Sequence, residues 1–210
     1  MYVVNKMTTD IITVDPYQTI SEVLDLMQEH HLHRIPVVED GRLVGLVTEG
    51  VVLKNTPSNA STLSIHEMNY LLSKTKIKDI MLKKVFTTTP QALIEEAANI
   101  MEDNDVGCLP VVEDENKIVG IITTSDILKS FVSIMGYHQK GTRLVVEFEV
   151  DRPGIMAELA TIFLEANINM SHLVAHRNGT TEVVIRCDEV DHAFLMELLT
   201  SKGLKVISIR

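Results

Sequence analysis

The stretch Gly120-Ile121-Ile122-Thr123-Thr124-Ser125-Asp126 joins an apolar run to three hydroxyls and a carboxylate. The apolar part predicts a buried strand, and the polar part predicts the start of a helix. The first turn of a helix has unpaired N–H groups and a partial positive charge, which favour a phosphate. Thr123 and Ser125 add hydroxyl donors, and the Asp126 carboxylate can accept two hydrogen bonds from a ribose diol. The stretch therefore indicates a nucleotide site.

A plainer interpretation of the same residues is that Thr124 or Ser125 caps the helix and Asp126 complements its dipole. Short patterns of this kind are common by chance, so the stretch alone does not decide between the two interpretations. The ligand interpretation gains support because the chain contains a second version, Gly45-Leu46-Val47-Thr48-Glu49-Gly50-Val51.

Residues 1–55 and 75–133 are copies of one another, and such self-similarity bears on the fold before any other pattern. The aligned pairs are Met7 and Met81, Pro16 and Pro90, Ile20 and Ile94, Met27 and Met101, Pro36 and Pro110, Gly45 and Gly120, Thr48 and Thr123, and Lys54 and Lys129. The second copy has one additional residue between its two strands. A copy of this size buries too little apolar surface alone, so we expect the two copies to pack as a pair.

Each copy predicts a short strand, a helix, two strands joined by a polar turn, and a second helix. Thr19 and Glu22 form a capping-box pattern at the first helix, and an apolar stripe at helical spacing follows it. The stripe residues are Ile20, Val23, Leu24 and Met27, repeated as Ile94, Ala97, Ala98 and Met101. The paired strands are predicted at 34–38 and 43–48, and at 108–112 and 118–123. Their nearly continuous apolar character indicates cover on both faces.

The duplicated Met-x(8)-Pro, Pro-Val-Val and Gly-x-x-Thr motifs, with the full Gly-x-x-Thr-x-x-Asp in the second copy, resemble the cystathionine-β-synthase (CBS) domain pair over residues 1–133. The resemblance implies two clefts between the repeats that bind an adenine nucleotide, such as AMP, ADP, ATP or S-adenosylmethionine. The Thr-x-x-Asp motif of one repeat would hold phosphate and ribose, while strands of the other repeat hold the base. The residues carried over to this site are Thr123, Ser125 and Asp126, facing Thr9, Leu32, His33 and Arg34.

The two copies differ at the ribose position, because Val51 stands where the second copy has Asp126. A valine cannot accept a hydrogen bond from ribose, so we expect one competent site and a weak second site at Thr48 and Cys108. Cys108 lies in an apolar strand without a recognisable base, which favours a small buried residue over a nucleophile.

Two connecting segments are expected, at 56–74 and 134–141. The first contains a polar linker and then a helix whose start is marked by Ser64 and Glu67, a second capping box. The helix has Ile65, Met68 and Leu72 on one face. An amphipathic stripe more often indicates burial against a neighbour than a partner site, so packing against the CBS pair is the favoured role.

Residues 142–210 predict a different, βαββαβ plan with two helices on one face of an antiparallel sheet, which is ferredoxin-like. The expected elements are an alternating strand from 144 to 150, a helix from 155 to 166, strands at 168–176 and 181–187, a helix at 191–201 and a strand at 204–209. Asn178-Gly179 marks the hairpin between the second and third strands. The fold class is therefore α+β.

This plan, with Asp151-Arg152-Pro153-Gly154 and Asn167-Ile168-Asn169, resembles an ACT domain. The resemblance implies a regulatory module that forms homodimers and binds an amino acid beside the first turn. Gly154 permits close approach of a ligand carboxylate, Asp151 or Asn167 could hold its ammonium group, and Ile168 adjoins them. An equally supported interpretation is a turn glycine and helix-end residues in a dimerisation module.

Composition narrows the classes of function. The 210-residue chain has a net charge of −10, which disfavours nucleic acid, and no apolar run long enough to cross a membrane. The start does not have the pattern of a signal peptide, and Cys108 and Cys187 are far apart, so a cytoplasmic location is expected. His30-His31-Leu32-His33 lacks companion ligands, which disfavours a metal site.

No catalytic constellation or dinucleotide motif is recognisable, so we expect a ligand-sensing regulatory protein without a catalytic cofactor, not an enzyme. The order of CBS pair, inserted helix and ACT domain resembles the acetoin utilisation B family. That resemblance implies a link to acetoin or butanediol catabolism and a regulated protein partner. The alternatives are an enzyme of acetoin breakdown and a structural dimerisation subunit without a ligand.

Overall fold

The computed structural model describes residues 1–56 and 64–210. It divides into two compact units, Met1–Ile127 and Leu128–Arg210, each with a four-stranded sheet. Most of the polar linker predicted at the start of the 56–74 segment lies outside the described residues. The side chains of Ile65 and Met68, predicted on the apolar face of the inserted helix, are outside them as well.

The first unit contains the two copies in the order that the sequence predicts. The elements of the first copy are α1 (Ile20–Glu29), β1 (Arg34–Glu39), β2 (Arg42–Thr48) and α2 (Glu49–Asn55). The inserted helix α3 (Ile65–Lys74) and the short α4 (Ile77–Ile80) follow. The second copy contributes α5 (Ile94–Asp103), β3 (Cys108–Glu113), β4 (Lys117–Thr123) and the first turn of α6 (Thr124–Ile134), whose remaining residues belong to the second unit. Helix α3 contacts α1, and Leu72 packs against the core of the first copy.

The sheet of the first unit has the order β1-β2-β4-β3, so the two copies meet between β2 and β4. These two strands are antiparallel and pair only at their first residues, Arg42 and Lys117. The ladder stops beyond this pair, so no strand pairing joins their last residues, Thr48 and Thr123. The two strand-to-helix junctions singled out by the sequence follow these residues.

The short strand predicted at the start of each copy is wrong, because no regular strand forms there. The first copy begins with a 3-10 turn, Val3–Asn5, followed by isolated bridges. Thr8 pairs with Ile121 of the other copy, whereas Val14 pairs with Val37 of its own copy. A segment that crosses from one copy to the other in so few residues cannot maintain a ladder with either strand. The second copy repeats the pattern with the bridges Leu82–Leu46 and Thr88–Val111.

The aligned glycines Gly45 and Gly120 allow these crossing segments to approach the sheet. A Cβ at Gly120 would lie 2.9 Å from both the Thr8 carbonyl oxygen and the Met7 Sδ atom. A Cβ at Gly45 would lie 2.5 Å from the Met81 Sδ atom. The duplicated glycine thus serves the contact between copies as well as the strand.

The second unit has the predicted βαββαβ order. Its elements are β5 (Thr142–Phe148), α7 (Ile155–Glu165), β6 (Met170–Asn178), β7 (Thr180–Cys187), α8 (His192–Ser201) and β8 (Lys205–Ile209). The strands are antiparallel in the order β6-β7-β5-β8, which is the ferredoxin-like arrangement. Leu144, Val146 and Ile185 of the sheet share one core with Leu159 and Leu195 of the helices. Both helices therefore cover the same face.

The strand predicted at 168–176 begins later, at Met170. Asn167 adopts a left-handed conformation with φ of 55°, and Ile168 donates its N–H to the Phe163 carbonyl oxygen at 2.9 Å. These two residues close the end of α7, so they are unavailable to the ladder.

Because of the capping box of α1, the free energy of unfolding depends on pH in the acid range. The Glu22 carboxylate accepts hydrogen bonds from the Thr19 N–H at 2.6 Å and the Thr19 hydroxyl at 2.8 Å. The main-chain bond, then the hydroxyl bond, lowers the pKa of Glu22 below its usual value of 4.5. Because the folded-state pKa is lowered, this stabilisation is present above the unfolded-state pKa and is lost as pH falls through the folded-state value.

We expect Glu22→Gln to show a shallower fall in melting temperature than the parent protein as pH drops below about 4.5. Thermal unfolding between neutral and acid pH measures this. The control is Asp25→Asn, an exposed acid of the same helix. Identical acid limbs for the parent and Glu22→Gln would show that the capping bond does not contribute.

Candidate functional site

A cavity of about 430 Å³ lies at the start of α2 in the first unit. Thr48, Glu49 and Gly50 line it from the helix start, and His33 and Arg34 line it from the start of β1. Residues 105–108 of the second copy, with Leu46 and Leu82, complete the wall. This volume falls within the range of small-molecule sites. The structure thus brings Thr48 and Cys108, predicted for the weak site, together with His33 and Arg34, which the sequence analysis assigned to the site of Thr123 and Asp126.

The start of α2 is held by local hydrogen bonds. The Thr48 hydroxyl accepts from the Val51 N–H at 3.2 Å, and the Glu49 N–H donates to the His33 carbonyl oxygen at 3.0 Å. The Glu49 carboxylate lies 2.8 Å from His33 Nδ1. A carboxylate in the first turn competes with an incoming anion for the helix N-terminus.

The start of α6 has a matching backbone but different side chains. The Thr124 N–H donates to the Gly107 carbonyl oxygen at 3.2 Å, just as Glu49 does to His33. The Asp126 carboxylate accepts from the Thr123 N–H at 2.9 Å and the Thr123 hydroxyl at 2.7 Å. These bonds fix the carboxylate beside Thr123. The residue that pairs with the carboxylate at the start of α6 is therefore Thr123. The capping interpretation had assigned this position to Thr124 or Ser125.

The repeat alignment transfers the lining of the observed cavity to the second junction. Leu82 corresponds to Thr8, Thr48 corresponds to Thr123, and residues 105–108 correspond to 31–34. Thr8 and Ile121 exchange two backbone hydrogen bonds of 2.9 Å, which sets Thr9 beside the end of β4. We call the observed cavity the Thr48 cleft. We call the corresponding region at the start of α6 the Thr123 cleft, and the alignment predicts that it also uses the starts of β1 and β3.

The side chains at the starts of β1 and β3 have different surroundings. A Cβ at Gly107 would lie 2.6 Å from Arg34 Nη2, so the guanidinium rests on the Gly107 backbone. Leu32 packs against the core of the first copy. Burial raises the pKa of the Cys108 thiol, and the nearby Arg34 charge only partly opposes this, so the group remains a thiol. Cys108 is 3% exposed, which fits a packing role.

The two helix starts differ in their side chains, although the first turn of each has one carboxylate, Glu49 in α2 and Asp126 in α6. Where the Thr48 cleft has Glu49, the Thr123 cleft has Thr124, and where it has Gly50 the counterpart is Ser125. Hydroxyl donors therefore replace a carboxylate and a glycine at the helix start. The sequence analysis missed Glu49, Leu82 and the 105–107 segment as lining residues. Extending the repeat alignment to the residues before β1 and β3 would have found that segment.

The candidate amino-acid site of the second unit is divided within one chain. The Asp151 carboxylate lies 2.5 Å from Arg177 Nε, and Gly154 begins α7 with φ of 96°. Asn167 and Ile168 follow the other end of α7. An 11-residue helix rises about 16 Å. The structure therefore does not bring Asn167 and Ile168 together with Asp151 and Gly154 in a single chain.

Within residues 1–56 and 64–210, no group of three His, Cys, Asp or Glu side chains is arranged to hold a metal ion. Over the same ranges, the helices are too short or too polar to traverse a lipid bilayer.

Solved structures related to the first unit include complexes with adenine derivatives. The CBS domain pair of protein MJ0100, in complex with 5'-methylthioadenosine and S-adenosyl-L-methionine, is 25% identical with a TM-score of 0.53 and covers 63% of this chain and 97% of that chain. CBSX2 in complex with AMP is 27% identical with a TM-score of 0.52, covering 63% and 97%. A Vibrio cholerae protein named acetoin utilization protein (AcuB) is 26% identical with a TM-score of 0.54, covering 67% and 98%.

Relatives found by sequence also match only part of this chain. Protein MJ1225 of Methanocaldococcus jannaschii is 34% identical over 125 residues, which are 59% of this chain and 45% of that protein. The chain thus spans less than half the length of this relative. The family model of the CBS domain matches residues 3–56 and 77–133, more than half of the chain. The prediction of a CBS domain pair is confirmed, and the chain belongs to the CBS domain family.

Proposed function

We propose that the protein is a regulatory sensor that binds an adenine nucleotide in the Thr123 cleft. Related CBS domain pairs bind AMP, and 5'-methylthioadenosine with S-adenosyl-L-methionine. The main support for the proposal is a difference between the two aligned helix starts. In the second copy the Asp126 carboxylate is bound to Thr123, whereas Val51, at the aligned position of the first copy, has no side-chain acceptor.

Each part of the Thr123 cleft suits one part of the nucleotide. The α6 start and the hydroxyls of Thr123 and Ser125 suit the phosphate, with Arg34 as the counter-charge. The Asp126 carboxylate suits the ribose hydroxyls, which donate to it. The residues that would surround the base are Thr9, Leu32 and His33, from the first copy. The Thr48 cleft, with Cys108 in its wall, would bind the same ligands weakly.

The nucleotide is identified by calorimetry of the full chain with AMP, ADP, ATP and S-adenosylmethionine. We expect saturable binding of at least one of them with a stoichiometry of one. A rise in melting temperature with the same ligand, growing with its concentration, gives an independent readout. Absence of binding for all four would refute the nucleotide proposal and favour a structural subunit.

For the second unit, we infer an ACT-like regulatory role from the ferredoxin-like order and the Gly154 turn. Because α7 separates the two halves of the candidate site, an amino acid would have to bind between two chains. Asp151 and Gly154 of one chain would then face Asn167 and Ile168 of the other chain. A homodimer is therefore part of this inference. Sedimentation with and without a panel of amino acids tests it, and a monomer in both states would refute it.

The relation to AcuB supports a role in acetoin or butanediol catabolism through a regulated protein partner. The competing proposal is an enzyme that acts on acetoin directly. A turnover assay with purified protein distinguishes them: product formation from acetoin would refute the regulatory proposal, and nucleotide binding without turnover would support it.

A further inference from the structure

Three arginines lie side by side on the second unit's sheet. Arg143 is paired directly with Arg186 on β7. On its other side, Arg143 and Arg210 exchange both backbone hydrogen bonds, each 2.8 Å long. Directly paired residues of neighbouring strands project from the same face of a sheet. The face is the one opposite α7 and α8, because the adjacent pair Leu144 and Ile185 belongs to the core beneath those helices. We call these three residues the arginine row.

The arginine row is electrostatically costly by itself. Like charges directly opposite each other on paired strands are destabilising, and partial burial of Arg143 and Arg186 strengthens the repulsion. Throughout the part of the chain that the structure describes, none of the three forms an ion pair with a carboxylate. Arg186 instead donates to the Met135 and Gln139 carbonyl oxygens, at 3.0 and 3.4 Å. The row thus lacks a fixed counter-charge.

A cavity of about 710 Å³ lies over the arginine row. All three arginines line it, and its opposite wall is apolar, formed by Phe131, Tyr137 and their neighbours. The aromatic side chains are 60% and 69% exposed. The cavity therefore combines a cationic floor with an aromatic wall.

The segment that forms this wall is fixed to the sheet. Gly136 is buried with φ of 63°, and a Cβ there would lie 2.8 Å from His172 Nδ1 and 2.9 Å from Arg186 Cδ. The hydrogen bond from Arg186 to the Met135 carbonyl oxygen holds the same turn. The aromatic wall and the arginine row are thus parts of one packed structure.

We propose that this cavity binds a small organic oxyanion with an apolar body, either a phosphate monoester or a carboxylate. Guanidinium groups match both oxyanions with paired, charge-assisted hydrogen bonds. The aromatic wall packs against the apolar body, which inorganic ions lack. Binding supplies the missing counter-charge, so the repulsion in the free protein becomes affinity in the complex. This site is separate from the nucleotide clefts and from the candidate amino-acid site.

The test uses the full chain with three probes: phenyl phosphate, benzoate and inorganic phosphate. We expect phenyl phosphate or benzoate to bind at least about tenfold more tightly than inorganic phosphate, because only the organic probes contact Phe131 and Tyr137. The stronger of the two organic probes identifies the oxyanion. Calorimetry at low ionic strength measures all three.

The variants are Arg143→Gln and Arg210→Gln, since Arg186 also supports the turn. Each should weaken the preferred organic probe about tenfold, the usual scale for one lost charge-assisted hydrogen bond. Arg152→Gln is the matched control, because its guanidinium is paired with Glu158 at 2.6 Å and lies outside the cavity lining.

Thermal unfolding without ligand gives a second readout. Removing one positive charge from the row should leave the melting temperature unchanged or raise it, whereas a purely structural arginine would lower it. Equal affinity of the parent, Arg143→Gln and Arg210→Gln for every probe would overturn the proposal. A change in oligomeric mass in these variants, with organic anions still bound, would instead identify the surface as a contact between copies and would also overturn it.

Discussion

Asp126→Ala is expected to weaken binding of the nucleotide in the Thr123 cleft by about a hundredfold. In the proposed complex the carboxylate accepts a hydrogen bond from each ribose hydroxyl, and each charge-assisted bond is worth roughly 1.5 kcal/mol or more. Loss of both amounts to about 3 kcal/mol, which corresponds to roughly two powers of ten in the dissociation constant. Calorimetry with the best ligand of the nucleotide panel measures the change.

A second variant separates ligand binding from helix capping. Asp126→Asn keeps an oxygen that can accept from the Thr123 N–H, so α6 should retain its start while the charge is lost. Val51→Ala, at the aligned position of the first copy, is the matched control and should bind as the parent does. If Asp126→Ala binds the nucleotide with unchanged affinity, the assignment of the ribose to Asp126 is wrong.

Val51→Asp is expected to create a second nucleotide site in the Thr48 cleft. Val51 donates its N–H to the Thr48 hydroxyl at 3.2 Å, so this helix start has the capping hydroxyl but not the returning carboxylate that Asp126 supplies in the second copy. The new carboxylate can accept from Thr48 as Asp126 accepts from Thr123, and it complements the positive end of the α2 dipole. The existing cavity of about 430 Å³ provides the space.

The expected readout is a change in stoichiometry from one to two, with affinity in the new site raised about a hundredfold over the parent cleft by two charge-assisted bonds. Val51→Asn is the control, because it is similar in size but has no charge. Combining Val51→Asp with Asp126→Ala should leave one site. A stoichiometry that stays at one in Val51→Asp would show that the missing carboxylate is not what distinguishes the two clefts.

Much of the architecture is readable from the sequence because the fold is duplicated. The stripe of Ile20, Val23 and Met27 recurs with the same spacing in the second copy, and both stripes are buried as expected. The βαββαβ order of the second unit follows from strand alternation and from the turn at Gly179. These signals are local, so periodicity and turn chemistry are sufficient to find them.

The errors arise where one segment depends on another copy. Thr8 and Leu82 look like strand residues locally, but each pairs singly with a strand of the other repeat. The capping residue of α6 was also assigned too far along the chain. Thr123 ends β4 and also binds the Asp126 carboxylate, and sequence patterns assign a residue to one element or the other.

The arginine row illustrates a limit of another kind. Alternation along β5 assigns Arg143 to the polar face, and the same holds for Arg186 on β7. Only the register of three strands shows that these side chains and that of Arg210 are neighbours. Their distance along the chain gives no signal, and a single sequence does not contain the pairing.

A crystal structure of the full chain soaked with AMP would show where the nucleotide binds. We expect electron density for AMP in the Thr123 cleft, with the phosphate at the start of α6 and both ribose hydroxyls within hydrogen-bonding distance of the Asp126 carboxylate. Density for AMP in the Thr48 cleft alone, or a Thr123 cleft filled by the protein's own side chains, would contradict it.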